Sequence, residues 1–127
     1  MSEIVLADTS VWVIHLRKGE KHHIQLLEQG LVVCHPFIIG ELACGSLKNR
    51  KELLQLLDDL PKVDLLEHSE VMTFIEAHKL MSIGIGYVET HLLGSSLLSN
   101  TPLWILDKAL MKSANFLNTE YNIRFKR

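Results

Sequence analysis

Four carboxylates stand at positions where the sequence could use them for chemistry. Asp8 ends the apolar run "IVLA", and Asp107 ends the apolar run "PLWIL". Glu41 and Glu89 instead lie inside the apolar segments "FIIGELACG" and "YVETHLL". An unpaired carboxylate is costly to bury among apolar side chains. The two glutamates therefore lie either on solvated helix faces or in a site that uses their charge.

These four side chains would need a cation if the fold brought them together. At a separation of ~5 Å and an effective dielectric constant of ~20, each pair of carboxylates repels by roughly 3 kcal/mol. Carboxylate oxygens and water are the ligands that suit Mg²⁺ or Mn²⁺. Such an ion activates a water nucleophile and offsets negative charge on a phosphoryl group. The chemistry predicted for a shared site is therefore attack by water at a phosphoryl group.

Short strands alternate with helical segments along the chain. Short apolar runs bounded by turn residues predict strands over 4–7, 31–34, 62–67, 102–106 and 122–125. Apolar residues at helical spacing predict helices from near Val11 and over 20–30, 36–48, 51–60, 70–81, 87–99 and 108–117. This alternation predicts an α/β fold, a three-layer α/β/α sandwich around a mostly parallel central sheet.

The carboxyl ends of the predicted strands connect two of the acidic residues. In open α/β sheets, ligands bind outside the carboxyl ends of parallel strands, where Asp8 and Asp107 are both predicted to lie. Asp8, Thr9 and Ser10 can also cap the helix that follows them, and Ser69 is predicted to cap the helix after it. A role in capping and a role in a site both stay open for Asp8.

Length, charge and cysteine content limit the class of protein. The chain has 127 residues, 47% of them hydrophobic and 22% charged, which predicts a single globular domain over 1–127. A net charge of −2 and a pI near 6.4 exclude binding to nucleic acid through a bulk positive field, but leave a local basic patch open. No signal peptide or membrane span is visible, and Cys34 and Cys44 form no C-x-x-C motif. We therefore expect a cytoplasmic protein with reduced cysteines.

The segments that carry the carboxylates resemble the motifs of a known family. In order and spacing, the chain resembles the PIN domain, and in particular the VapC-like ribonuclease toxins of prokaryotic toxin–antitoxin pairs, through "VLADTSVWVIHLR", "FIIGELACG", "GIGYVETHLL" and "LWILDKAL". The resemblance implies a Mg²⁺- or Mn²⁺-dependent endoribonuclease with a four-carboxylate catalytic site. Asp8, Glu89 and Asp107 would hold the metal directly or through water. Glu41 would help to position the hydrated ion or the attacking water.

The same resemblance implies supporting residues and partners. Thr9 and Ser10 would be supporting hydroxyls, able to donate to Asp8 or to cap the following helix. A cognate antitoxin would fill the groove over the acidic site, and a homodimer would form through apolar helix surface. Basic residues that flank the acidic segments in the sequence could meet RNA phosphates; they are Arg17, Lys18, Lys108 and Lys112.

Two other classes of protein stay open. The family usually has an aspartate where this chain has Glu89, and the longer side chain must satisfy a metal that requires ligands near ~2.1 Å. A PIN-like interaction module with an impaired site is therefore one alternative. A phosphotransferase of the haloacid dehalogenase type is another, since it also begins with an aspartate after the first strand. That class needs a second aspartate two residues later, where this chain has Ser10.

Overall fold

The computed structural model describes residues 4–19, 21–106 and 108–117. Within these ranges, short strands and helices alternate as the sequence predicts. In chain order they are β1 (Val5–Ala7), α1 (Thr9–Lys18), α2 (Lys21–Glu28), β2 (Val32–Val33), α3 (Pro36–Ala43), α4 (Arg50–Asp59), α5 (His68–His78), α6 (Tyr87–Leu98), β3 (Leu103–Trp104) and α7 (Lys108–Phe116).

The described strands form a parallel sheet in the order β2-β1-β3. In the register of the sheet, Leu6 pairs with Val33 on one side and with Leu103 on the other. Every residue of the three strands is buried, as expected for a parallel sheet that is covered on both faces. The predicted α/β class with a parallel central sheet is confirmed, and the arrangement is that of a PIN-like three-layer sandwich.

The core is continuous between the sheet and the helices around it. Helices α1, α3, α4, α6 and α7 each contribute fully or nearly fully buried apolar side chains, among them Trp12, Ile38, Leu57, Leu92 and Leu110. Burying side chains of this size is the main free-energy term that favours the folded chain. None of the helices described above is both long and apolar enough to cross a bilayer.

The strand predicted over 62–67 is wrong, because the chain leaves the sheet after one residue. Lys62 forms an isolated parallel bridge with Cys34, supported by a hydrogen bond from the Val63 N–H to the Cys34 carbonyl oxygen at 3.1 Å. Asp64 is the next residue along the chain. Its N–H donates to the Ser99 hydroxyl oxygen at 2.8 Å instead of to a carbonyl oxygen of a neighbouring strand. The strand predicted over 122–125 lies outside the described residues.

Two helix starts differ from the sequence prediction by about one half-turn. Helix α1 begins at Thr9 rather than near Val11, with Asp8 as its N-cap. Helix α5 begins at His68, so the prediction of Ser69 as its N-cap is wrong. Glu67 takes that position, and its N–H donates to the Glu70 carboxylate at 2.8 Å, the reciprocal arrangement known as a capping box.

Candidate active site

Asp8 lies at the carboxyl end of β1, the central strand of the sheet. Its N–H donates to the Trp104 carbonyl oxygen at 2.9 Å, which ties the residue to the neighbouring strand β3. Its side chain is only 6% exposed, and the Oδ2 atom accepts hydrogen bonds from the Ser10 N–H at 3.2 Å and from the Ser10 hydroxyl at 2.7 Å. Asp8 therefore caps α1 and also holds a buried carboxylate at the sheet edge.

Burial controls the protonation of this carboxylate. Desolvation raises the pKa of Asp8, while hydrogen bonds from Ser10 and from the Thr9 backbone lower it. The nearby charge of Glu89 raises the pKa of Asp8 further. A carboxylate in this environment is stabilised in its ionised form by an added positive charge.

Ser10 connects Asp8 to the end of β3. The Ser10 hydroxyl donates to Asp8 and accepts a hydrogen bond from the Leu106 N–H at 3.1 Å. Leu106 directly precedes position 107 in the sequence. Asp107 itself lies outside the described residues, so its predicted place in the site stays a prediction. The Ser10 hydroxyl therefore joins the ends of β1 and β3 beside position 107.

Glu41 approaches from helix α3 on the solvent side. Its side chain is exposed, and its Oε1 atom accepts a hydrogen bond of 2.6 Å from the Thr9 hydroxyl. Thr9 directly follows Asp8, so this bond joins α3 to the first residue of α1. A bond from Thr9 to Asp8 was expected from the sequence, but the bond to Glu41 was not, since Thr9 and Glu41 are 32 positions apart.

Glu89 is the third residue of α6 and is half-buried. Its carboxylate folds back over Gly86, the N-cap of that helix. A Cβ atom built on Gly86 would lie only 3.4 Å from the nearer oxygen of Glu89. That separation is an ordinary van der Waals contact, so the carboxylate packs against Gly86 at a helix N-terminus, where backbone dipoles favour negative charge. The negative charge of Glu89 raises the pKa of Asp8.

The basic residues proposed for RNA contact do not form one group. All four are exposed. Arg17 lines a cleft that also contains Thr9 and Glu41, whereas Lys112 lines a separate pocket with His78 and Phe116. Lys18 ends α1 and Lys108 begins α7, and neither side chain lines those two pockets.

A buried histidine, to which the sequence analysis gave no role, supports the helix that carries Glu41. His35 is the N-cap of α3 and only 2% exposed, and its Nδ1 atom accepts a hydrogen bond from the Phe37 N–H at 2.9 Å. Burial lowers the pKa of His35 to about 4, with a smaller contribution from His91. The signal for this role was the pair His35–Pro36 at the end of a strand, since proline favours the first turn of a helix.

The described donors fit a hard divalent cation in type, though they do not by themselves make a complete site. Among residues 4–19, 21–106 and 108–117, no three His, Cys, Asp or Glu side chains are grouped as ligands for one metal ion. Asp8 and Glu89 supply carboxylate oxygens, the ligand type that Mg²⁺ and Mn²⁺ prefer. The buried Asp8 carboxylate also has the environment in which a cation is most favourable.

Comparison with known proteins identifies the family. No family model matches the chain. The chain is, however, 40% identical over 108 residues to Ribonuclease VapC32 from each of two strains of Mycobacterium tuberculosis. The match covers 84% of this chain and 87% of each relative. At this identity and coverage, the chain belongs to the VapC family of PIN-domain ribonucleases.

Proposed function

We propose that this protein is the toxin of a toxin–antitoxin pair, a cytoplasmic endoribonuclease that hydrolyses RNA phosphodiester bonds with the help of Mg²⁺ or Mn²⁺. A single PIN-like domain over 1–127 would carry the whole activity. The observation that supports this most strongly is the buried carboxylate of Asp8 at the carboxyl edge of the sheet, in a chain 40% identical to a ribonuclease.

Four acidic residues form the proposed catalytic site. Asp8, Glu89 and Asp107 would hold the metal ion directly or through water, and Glu41 would position the water that attacks the phosphorus. When bound, such an ion supplies a more acidic water and offsets negative charge on the phosphoryl oxygens. The pKa of Asp8, raised by burial and by Glu89, supports a site whose charges are balanced only when a cation is present.

The surrounding hydroxyls would hold two of these carboxylates in different ways. Ser10 restrains the buried Asp8 through a 2.7 Å hydrogen bond and anchors the backbone at Leu106. Thr9 restrains Glu41, whose side chain stays open to water and to an approaching RNA strand. Catalytic groups held by their neighbours lose less conformational freedom when the substrate binds.

A PIN-like module with an impaired site is the second candidate. Glu89 favours it, because a longer side chain stands where the family usually has aspartate and folds over Gly86. A haloacid-dehalogenase-like phosphotransferase has less support, since Ser10 occupies the position of its required second aspartate and donates to Asp8.

Cleavage of RNA by the purified full chain, free of antitoxin, tests this proposal. With Mg²⁺ or Mn²⁺ the wild type should cleave single-stranded RNA, and a chelator should stop it. Asp8→Asn should abolish cleavage, because it removes the charge that the cation balances. Asp58→Asn, an exposed residue of α4, is the matched control and should cleave normally. Metal-independent cleavage, or none by the wild type, would contradict the proposal.

Two protein partners belong to the same proposal. A cognate antitoxin would cover the acidic site, and a second copy of the chain would pack against apolar helix surface. Exposed apolar side chains of α5 and α6, such as Met72 and Leu98, offer surface of that kind. Co-purification with the product of a neighbouring gene would test the first partner. The molar mass in solution would test the second.

A further inference from the structure

A cleft of about 620 Å³ opens beside the candidate site, between α1, α3 and α4. We call it the α1–α3–α4 cleft. It has an acidic end, two cations and apolar walls. Thr9 and Glu41 lie at the acidic end, Arg17 and Lys48 are the cations, and Leu16 and Leu47 are among the apolar side chains. Its volume is in the range of pockets that hold small organic groups.

The cleft is continuous with the proposed catalytic site. Two of its lining residues, Thr9 and Glu41, are joined by the 2.6 Å hydrogen bond that holds the Glu41 carboxylate. Arg17 lies eight residues further along α1, which corresponds to about 12 Å along the helix axis. A group bound at Arg17 would therefore be a neighbour of the reacting atoms, and not the reacting group itself.

Two cations from different elements, Arg17 of α1 and Lys48 of the loop before α4, line the same cleft. Arg17 and Lys48 are exposed, and neither side chain has a hydrogen-bond or ion-pair partner among the described residues. Arg50 steadies the loop that carries Lys48, because its guanidinium donates to the Ala43 carbonyl oxygen at 2.7 Å and to that of Gly45 at 3.4 Å. Free cations on a supported loop and on a helix suit a ligand with negative charge.

Most of the remaining lining side chains are aliphatic, and Ser46 adds one hydroxyl. Leu16, Leu42 and Leu53 line the cleft, and no aromatic side chain is among its described lining residues. Aliphatic walls can cover the face of a flat base, but they offer it no hydrogen bonds that would read its identity. A ligand that combines a negative charge with a flat, weakly polar group fits the cleft, because the charge would meet Arg17 and Lys48 and the flat group would meet the leucine side chains. A nucleotide of single-stranded RNA has this chemistry.

We infer that the α1–α3–α4 cleft binds a nucleotide of the RNA substrate next to the cleaved bond, with its phosphate at Arg17 and Lys48 and its base against the leucine side chains. This inference rests on the proposed function, because it identifies how that site holds its substrate. It adds Lys48, a residue to which the sequence analysis gave no role, and it gives Arg17 a defined place.

Binding of a fluorescein-labelled single-stranded RNA of mixed sequence, measured by anisotropy with a chelator present, tests the inference without cleavage. Arg17→Gln combined with Lys48→Gln should weaken binding about tenfold. It should also reduce the slope of log K against log salt by about 1.4, since each phosphate contact on a single strand contributes about 0.7. Leu16→Ala should weaken binding about threefold with the salt slope unchanged.

A matched control removes the same charge elsewhere. Lys21→Gln combined with Lys51→Gln takes two exposed cations from outside the cleft and should leave both the affinity and the slope near wild type. Equal affinities and equal salt slopes for the two double variants would overturn the inference.

Cleavage assays separate this inference from the proposed function. If the wild type cleaves RNA with metal but the cleft variant binds RNA normally, the proposed function stands and the cleft assignment fails. If the wild type does not cleave RNA but the cleft variant still loses binding, the cleft stands as an RNA site and the proposed catalysis fails.

Discussion

The two described halves of the candidate site are built in opposite ways. Asp8 is buried at the end of the central strand and is held by a serine that also anchors the end of β3. Glu41 is exposed on a helix and is held by the single hydroxyl of Thr9. In the buried half, hydrogen bonds at the sheet edge restrain the Asp8 carboxylate, but a nearby positive charge is needed to favour its ionised form. The exposed half needs no such balance, because water solvates its carboxylate.

The largest effect on stability should come from Ser10→Ala in the buried half. This change removes a donor to a buried carboxylate and the acceptor of the Leu106 N–H, so we expect a loss of about 2–3 kcal/mol in the free energy of unfolding. Urea unfolding without metal would measure it. Ser10→Thr keeps the hydroxyl and is the control. A loss below about 0.5 kcal/mol would show that the hydroxyl bridge contributes little.

Mild acid should lower the free energy of unfolding through His35, the N-cap of the helix that carries Glu41. His35 has a pKa lowered to about 4 by burial, and the unfolded chain binds a proton near pH 6.5. Stability from this neutral imidazole is therefore complete above about pH 6.5 and is lost as the pH falls towards 4. At pH 5 the loss should be about 2 kcal/mol. His23, fully buried with a pKa of about 3, should add a similar loss.

His35→Asn tests this pH dependence. The asparagine side chain keeps an oxygen that can accept from the Phe37 N–H, but it does not titrate. The variant should therefore lose about 2 kcal/mol less than the wild type between pH 7 and pH 5, by urea unfolding at each pH. Parallel pH profiles for the two proteins would show that His35 does not couple protonation to the fold.

Glu89 should affect activity far more than stability. Glu89→Gln removes a charge that raises the pKa of Asp8 but also one that the N-terminus of α6 favours, so the stability of the metal-free protein should change by less than about 1 kcal/mol while cleavage is lost. Glu89→Asp should keep or raise cleavage with Mg²⁺, because it restores the ligand usual in the family. Thermal unfolding in chelator and cleavage assays measure the two effects. Cleavage by Glu89→Gln at the wild-type rate would remove Glu89 from the site.

The smallest effect should follow from Thr9→Val in the exposed half. Its hydroxyl bonds a solvated carboxylate, so the free energy of unfolding should fall by only about 0.5 kcal/mol. Cleavage should fall more than stability, because Glu41 loses its restraint, and Thr9→Ser should retain both. A stability loss as large as that of Ser10→Ala would contradict the contrast between the two halves.

Local sequence patterns predicted most of the architecture. Apolar runs and helical spacing located β1, β2, β3 and the seven helices of the described chain to within a few residues at most ends. Capping was less predictable. Glu67 displaced Ser69 as the cap of α5 because Glu70 stands three residues after Glu67 and completes a reciprocal pair. The strand over 62–67 failed because a run of apolar residues does not reveal whether a partner strand continues beside it.

The sequence by itself determined the fold class, the acidic residue at the end of the first strand and the family, since these depend on neighbouring residues and on the order of motifs. Only the tertiary structure decided which side chains touch. The bond from Thr9 to Glu41 spans 32 positions and that from Leu106 to Ser10 spans 96. Such contacts depend on how helices and strand ends pack against one sheet, and no local sequence pattern specifies that packing.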